Sequence, residues 1–487
     1  MSIVERLLKN TGTIMIARGI QPLFSTILII VIARIWNLEA FGKYNTVFYL
    51  LIIFQVVCSF GLNPLLTREV AQNRHLVKKY INSGLSIAIP FSILSMFIML
   101  GVIHMMNYEN DVAFAAKIAS IALIASALSE CFEGILAGFE RIRTIALVWI
   151  LETTLRTGIC IVLVYSGFGL LSVVVTYVVV RFLNPILYFI FIHKSIVRTE
   201  FNIDLKFTME LIKKTYVFAL ILICATIYWR VDAVILPKMQ GNDNAGLFGA
   251  AHRLFYFNQI MIVSFFTAFF PVISRLFAKQ KDAFQMACRK SIQYLSIIGF
   301  PIALFVTVFS KNIILVFFPE EYLEAAPTLI ILMGAWLLFA ITEVFGYALL
   351  ASNNQKFDLK VNIIALVCKI FLNFILIYKF GFIGAAIATA ISILIQLCVQ
   401  FWYVAKSVIP FDNHRLLVQG VKLGSTGIAS ILIVFLFRNY NLFGVFTLSL
   451  SIYILGLFLL KIFSKEDISF LKKLFNSIIH RKSALLE

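Results

Sequence analysis

Eight Lys or Arg side chains stand inside stretches of sequence that are otherwise apolar enough to lie in a bilayer: Arg18, Lys117, Arg156, Arg181, Arg230, Arg253, Lys369 and Lys422. At the centre of a spanning helix each such residue costs roughly 2.5–3.5 kcal/mol on insertion scales. It is kept only where it meets a counter-charge or lines a wet cavity. The acids in the same stretches are five, Glu130, Glu133, Glu152, Asp232 and Glu343. The surplus of base therefore calls for an anion or for water. Arg offers a planar fork to phosphate oxygens and Lys a compact point charge, so a diphosphate is the matching chemistry.

Depth sorts the eight. Lys117, Arg253 and Lys422 lie within about two turns of a span boundary, where long side chains snorkel towards the headgroups. Arg18 is intermediate, roughly 10 Å from the inner end by helical rise. Arg156, Arg181, Arg230 and Lys369 are too deep for such escape. Glu152 precedes Arg156 by one helical turn, the favourable order for an ion pair. Asp232 is two residues from Arg230, does not face it, and is expected to pair elsewhere. The candidates for anion binding are thus Arg156, Lys369, Arg181, Arg230 and Arg18. Asp232, Glu130 and Glu343 are candidates for carrying a coupling ion, with neutralisation of neighbouring bases as the alternative role. Gly12, Gly19 and Pro22 fall in the first span, where Pro22 removes a backbone donor and crowds the preceding turn. Gly19 and Pro22, beside Gln21 and Arg18, mark a candidate hinge.

The elements that must position these groups are fourteen apolar spans, at about 11–36, 41–66, 81–106, 113–138, 145–164, 170–192, 211–237, 249–273, 286–309, 327–351, 357–378, 381–405, 417–437 and 441–462. A chain of 487 residues that is 61% hydrophobic, with a mean hydropathy of +0.96, is not an ordinary soluble globule. About 20 apolar residues cross a bilayer. The connections are short, which leaves no room for a soluble catalytic module. The net charge of +18 would suggest nucleic acid in a soluble protein. Here it follows from orientation: with the N-terminus inside, alternate loops divide the basic residues 28 to 6 in favour of the cytoplasm. Both ends are then cytoplasmic, and the apolar run after Asn10 is too long for a cleavable signal. The seven cysteines show no C-x-x-C spacing and read as small apolar residues, and the six histidines do not cluster.

The chain also repeats itself. A shift of 213 lays Glu130 on Glu343, Phe132 on Phe345, Leu136 on Leu349, Arg143 on Lys356, Arg156 on Lys369 and Tyr165 on Tyr378. A weaker shift of 204 lays Arg34 on Lys238, Gly42 on Gly246 and Tyr44 on Phe248. Six spans separate the copies, so they are parallel repeats whose site is expected between them near mid-membrane. The fold class is therefore all-α and polytopic. Six-helix lobes occupy 1–200 and 201–410, two further helices 411–463, and a basic amphipathic cytoplasmic tail 464–487. In that tail Ile468, Leu471, Leu474, Phe475 and Ile478 form a stripe flanked by Lys472, Lys473, Arg481 and Lys482, as in a helix lying on an anionic leaflet.

Three segments carry a family likeness. They are Thr67-Arg68-Glu69-Val70-Ala71, the turn Gly138-Phe139-Glu140-Arg141, and Arg230-Val231-Asp232 followed by Ala245-Gly246-Leu247-Phe248-Gly249-Ala250-Ala251. With fourteen helices arranged as six, six and two, the chain resembles the multidrug/oligosaccharidyl-lipid/polysaccharide exporter superfamily. More narrowly, it resembles the flippases for undecaprenyl-pyrophosphate-linked O-antigen or capsule repeat units. The resemblance implies a two-lobed fold, alternating access, residence in the bacterial cytoplasmic membrane, and a lipid-linked oligosaccharide as substrate. Its likeness to lipid II flippases implies that the last two helices line a side opening.

Rival functions are weighed by charge and loop length. A multidrug or cation exporter of the same superfamily needs an acidic lumen. A membrane-embedded glycan polymerase or ligase needs a large outer loop, and the outer loops here reach about 17 residues at most. No nucleotide loop, metal-ligand spacing or nucleophile arrangement is found, so a transporter is expected instead of an enzyme, with no cofactor, metal or nucleic acid. The expected partners are the substrate, membrane lipids and other glycan-assembly proteins. A channel is disfavoured because the basic residues do not form a ring.

Overall fold

Inside hydrocarbon a backbone must satisfy its own polar groups, which for chains this apolar means helices. The computed structural model describes residues 23–197, 204–408, 413–437, 441–460 and 462, and among them every regular element is helical. Arg18, the hinge residues Gly12, Gly19 and Pro22, and the basic tail lie outside the described residues. In chain order the helices are α1 (Leu23–Ile35), α2 (Leu38–Ser59), α3 (Leu62–Gln72), α4 (Val77–Met106), α5 (Asn110–Ser120), α6 (Ala122–Gly138), α7 (Ile142–Tyr165) and α8 (Leu170–Arg181). They continue as α9 (Leu183–Ser195), α10 (Leu205–Lys279), α11 (Lys281–Val308), α12 (Ser310–Phe317), α13 (Ala326–Ala351), α14 (Gln355–Ser407), α15 (Asn413–Leu436) and α16 (Leu442–Leu459).

Ten described helical segments are long and apolar enough to cross a membrane. Two of them, in α10 and α14, have the length of two crossings each and contain one residue with non-helical backbone, Gly241 and Gly381. Their φ values of 85° and 57° lie where a Cβ is costly, so glycine lets the chain turn without a loop. With the shorter apolar helices Leu23–Ile35 and Gly424–Val434, fourteen spans result. The protein is a multi-pass, all-α membrane protein. Large apolar side chains such as Phe97, Val162, Val179 and Phe371 stay exposed, as lipid-facing residues do.

Three predicted spans are broken. The stretch 113–138 divides between α5 and α6 at Ile121. The stretch 41–66 divides between α2 and α3, where Phe60 and Gly61 adopt left-handed backbone at φ 43° and 67°. The stretch 170–192 divides between α8 and α9. Residue 185 would normally bond to the carbonyl of residue 181, but Pro185 has no N–H to give.

Packing divides the chain into two compact units. The first takes the chain up to Phe257 with Ile314–Leu332 and Asn354–Gln396; the second takes Asn258–Ile313, Met333–Asn353 and the chain from Leu397. The six-helix halves divide the sequence, whereas these units divide it by contact, and α10, α12, α13 and α14 contribute to both. In the first unit Gly134 and Gly138 let α6 lie close on Asn63, Leu66 and Val70 of α3. The repeat-related Gly42 and Gly246 meet reciprocally. A Cβ on Gly42 would overlap the carbonyl of Asn242, and one on Gly246 would come 2.6 Å from the carbonyl of Leu38. Nearby, Lys43 holds Glu39, Glu109 and Asp111 at 2.7–2.8 Å. In the second unit Tyr453 of α16 stacks on Phe300 of α11 at 4.7 Å, and Gln293 donates to the carbonyl of Ile462.

Candidate functional site

Helical periodicity puts Glu152 and Arg156 on one face of α7, and Arg156 Nε lies 3.2 Å from Glu152 Oε1. The Arg156 guanidinium also sits over the Tyr177 ring, 5.4 Å from its centre. Arg181 is the last residue of α8, beside the break that Pro185 imposes. Its Nε donates to Ser126 Oγ at 3.2 Å, and its Nη1 stands 4.0 Å from Glu152 Oε2. Gln55 fixes this wall by donating to both Ser126 Oγ and Tyr177 Oη. One enclosed carboxylate, 3% exposed, thus lies between two guanidiniums that are 15% and 18% exposed.

A second pair of guanidiniums comes from α10. Arg230 lies between two tyrosine rings, 5.0 Å from the centre of Tyr49 and 4.8 Å from that of Tyr256. Tyr49 Oη faces His252 Nδ1 at 3.5 Å. Arg253 Nη2 donates to Ser25 Oγ at 2.8 Å and to Thr26 Oγ1 at 3.3 Å. Arg253 is in electrostatic reach of Tyr44, Tyr49 and Arg230, and Tyr44 in turn of Arg156. All four guanidiniums belong to the first unit. Among the described residues, Glu152 is the carboxylate within 4.0 Å of any of them.

Arg253 is the member that depth alone set aside as a snorkelling residue. Nothing in the sequence of its own helix marks it, because its hydroxyl partners come from α1. Lys117 is exposed and Lys422 donates to the carbonyl of Leu460.

Lys369 lies in a different setting. Its side chain is fully enclosed, and Nζ is 2.7 Å from Oδ2 of the equally enclosed Asp232. Lys369 Nζ also donates to the carbonyl of Tyr228 at 2.6 Å and lies over the Tyr228 ring. Asp232 accepts further bonds from Asn373 Nδ2 at 2.6 Å and Thr389 Oγ1 at 3.2 Å. Asp232 therefore pairs away from Arg230, across to α14. Glu130 is half-buried beside Asn63 and in electrostatic reach of Arg181. Its neighbour Glu133 accepts from the Trp149 indole at 2.8 Å and from Tyr188 at 3.1 Å. Glu343 belongs to the second unit, half-buried on α13 and in reach of Tyr347. The structure joins Arg156 and Arg181 through Glu152, brings Arg230 and Arg253 within electrostatic reach of each other, sets Tyr44 in reach of both Arg156 and Arg253, and places Lys369 with Asp232. No cluster of three metal-ligating side chains occurs among the described residues.

A family model described as polysaccharide biosynthesis protein matches residues 7–277, more than half of the chain. The chain belongs to this family. A second model, that of the lipid II flippase MurJ, matches residues 250–463. This member of the polysaccharide biosynthesis protein family is 22% identical over 410 residues to the capsular polysaccharide biosynthesis protein CapF of Staphylococcus aureus, covering 82% of this chain and 100% of that one. It is 21% identical to a Shigella flexneri protein named as an O-antigen transporter, covering 78% and 94%. In fold it is similar to lipid II flippase MurJ in an inward closed conformation, with a TM-score of 0.70, 18% identity and coverage of 92% and 97%. It also resembles a Pyrococcus furiosus transporter whose structure was described as having a binding pocket of reverse polarity, with a TM-score of 0.60, 15% identity and coverage of 82% and 94%.

Proposed function

We propose that this protein is a flippase for undecaprenyl-diphosphate-linked oligosaccharide repeat units of O-antigen, capsule or a similar glycan. It moves them from the inner to the outer leaflet of the bacterial cytoplasmic membrane by alternating access, with both termini cytoplasmic. The observation that carries this reading is the excess of guanidinium: of Arg156, Arg181, Arg230 and Arg253, the first two have Glu152 within 4.0 Å, and no carboxylate among the described residues comes that close to Arg230 or Arg253. A lipid-linked sugar diphosphate has a head that hydrocarbon excludes and a tail that never needs to leave it. Guanidinium forks supply the head's counter-charge, and in a partly dehydrated site such contacts far exceed their strength in water. The same surplus repels cationic cargo, which weighs against a multidrug or cation exporter. The names of the relatives and the likeness to the lipid II flippase fold support the reading.

In this scheme Arg18 adds a fifth cation from the first span, and Lys369 joins only in a state that parts it from Asp232. Asp232, Glu130 and Glu343 are the coupling-ion candidates, and Gly19 with Pro22 the hinge. Other glycan-assembly proteins supply the loaded substrate and consume it outside. The test replaces Arg156 and Arg230 by Ala together in a glycan-producing host. Surface glycan should disappear while the protein stays in the membrane at its normal level, and undiminished glycan would refute the cationic site. In proteoliposomes a labelled undecaprenyl-diphosphate oligosaccharide should change leaflet; movement of organic cations instead would favour the exporter.

A further inference from the structure

We propose that Glu152 is a built-in stand-in for the substrate's phosphate, occupying the anion position between Arg156 and Arg181 in the empty carrier and yielding it when a diphosphate arrives. The inference rests on the reading of those arginines as the diphosphate site. Three observations carry it.

Glu152 lies deeper than the groups it neutralises, at 3% exposure against 15% and 18%. Both arginine side chains are thus more accessible to an incoming anion than the carboxylate that neutralises them. Its contacts are also incomplete. Arg156 Nε, although 3.2 Å from Oε1, makes no hydrogen bond, and Arg181 Nη1 reaches Oε2 only at 4.0 Å. One carboxylate spread over two forks satisfies neither, whereas a diphosphate has enough oxygens to meet each fork bidentately. Lastly, the fold shows what a permanent pair looks like. At Lys369 and Asp232 both charges are enclosed, the contact is 2.7 Å, and Asn373, Thr389 and the Tyr228 carbonyl complete the shell.

The consequence is competitive. An incoming phosphate is repelled by the carboxylate and attracted by the arginines, so loading moves Glu152 off the guanidiniums. Release lets it return, and the two cations are never left without an anion beside them. Glu152 thereby lowers affinity for the cargo and eases both its release and the return of the empty carrier.

Binding of purified undecaprenyl diphosphate to the detergent-solubilised full-length protein tests this, together with surface glycan in cells. Glu152→Gln should tighten binding tenfold or more while reducing glycan export, and Arg156→Gln should weaken binding. Glu152→Asp, with a carboxylate drawn back by one methylene, should give a smaller gain; it also serves should the Gln protein fail to fold. If wild type binds and both Glu152 variants bind equally or more weakly, Glu152 is a structural brace and the proposal falls. If wild type itself does not bind, the diphosphate reading falls with it.

Discussion

Arg156 and Lys369 fall on one another when the chain is shifted by 213 residues, yet the fold treats them oppositely. Lys369 is enclosed and locked by a carboxylate from another helix. Arg156 is held loosely by a carboxylate of its own helix, one turn away. The origin of the acid makes the difference. A pair within one helix lies along its surface and leaves the cation's head free to find other partners. A pair between helices is buried by the packing that brings the helices together, and its neighbours complete the shell. The same place in the repeat thus holds a loosely paired cation in one half and a locked one in the other.

The largest effect that would break this contrast is on the locked pair. Asp232→Leu leaves the Lys369 ammonium enclosed without an anion, and breaking a buried pair from one side typically costs about 3–5 kcal/mol. Thermal unfolding in detergent should fall steeply, and the double variant Asp232→Leu, Lys369→Met should recover most of the loss. An unchanged melting temperature in the single variant would mean that Lys369 is not locked at all, and would return it to the anion site.

The two pairs were unequally visible in the sequence. Fourteen spans, the acid one turn before Arg156, and the need for Asp232 to pair away from Arg230 follow from hydropathy and helical spacing. The shell around Asp232 does not, because Asn373 and Thr389 are ordinary polar residues until two helices meet. Arg253 was hidden for the same reason, its partners Ser25 and Thr26 lying more than two hundred residues earlier. The breaks at Phe60–Gly61 and before Pro185 were masked by continuous apolar composition, since hydropathy reports depth and is blind to a backbone bend. Yet the second break is what ends α8 at Arg181.

A middle-sized effect sharpens the comparison at Arg230. Two tyrosine rings flank its guanidinium, and no carboxylate approaches it among the described residues. Arg230→Lys keeps the charge but loses planar stacking and the fork, so export should drop severalfold, equivalent to about 1 kcal/mol for the lost cation–π contacts. Export assayed by surface glycan at matched expression measures this; full activity would show that charge alone matters there.

Smaller still is the stability cost of loosening the first-half pair. Glu152→Gln removes an anion from cations that retain access to water, and it should destabilise by about 1 kcal/mol, well short of the Asp232 variant. A melting shift as large as that of Asp232→Leu would make the two pairs equivalent and erase the contrast.

The finest distinction lies under Arg230. Tyr49 presents its ring to the guanidinium, while its hydroxyl meets His252 only at 3.5 Å, beyond good hydrogen-bond length. Tyr49→Phe keeps the ring and should change export by less than about twofold, or under ~0.5 kcal/mol. Tyr49→Leu removes the π face, and its loss should approach that of Arg230→Lys. If Phe instead matches Leu, the hydroxyl is the part that matters. Arg230 would then be positioned through His252, a fixed contact like the one at Lys369, and Arg156 would remain the loosely held cation of the comparison.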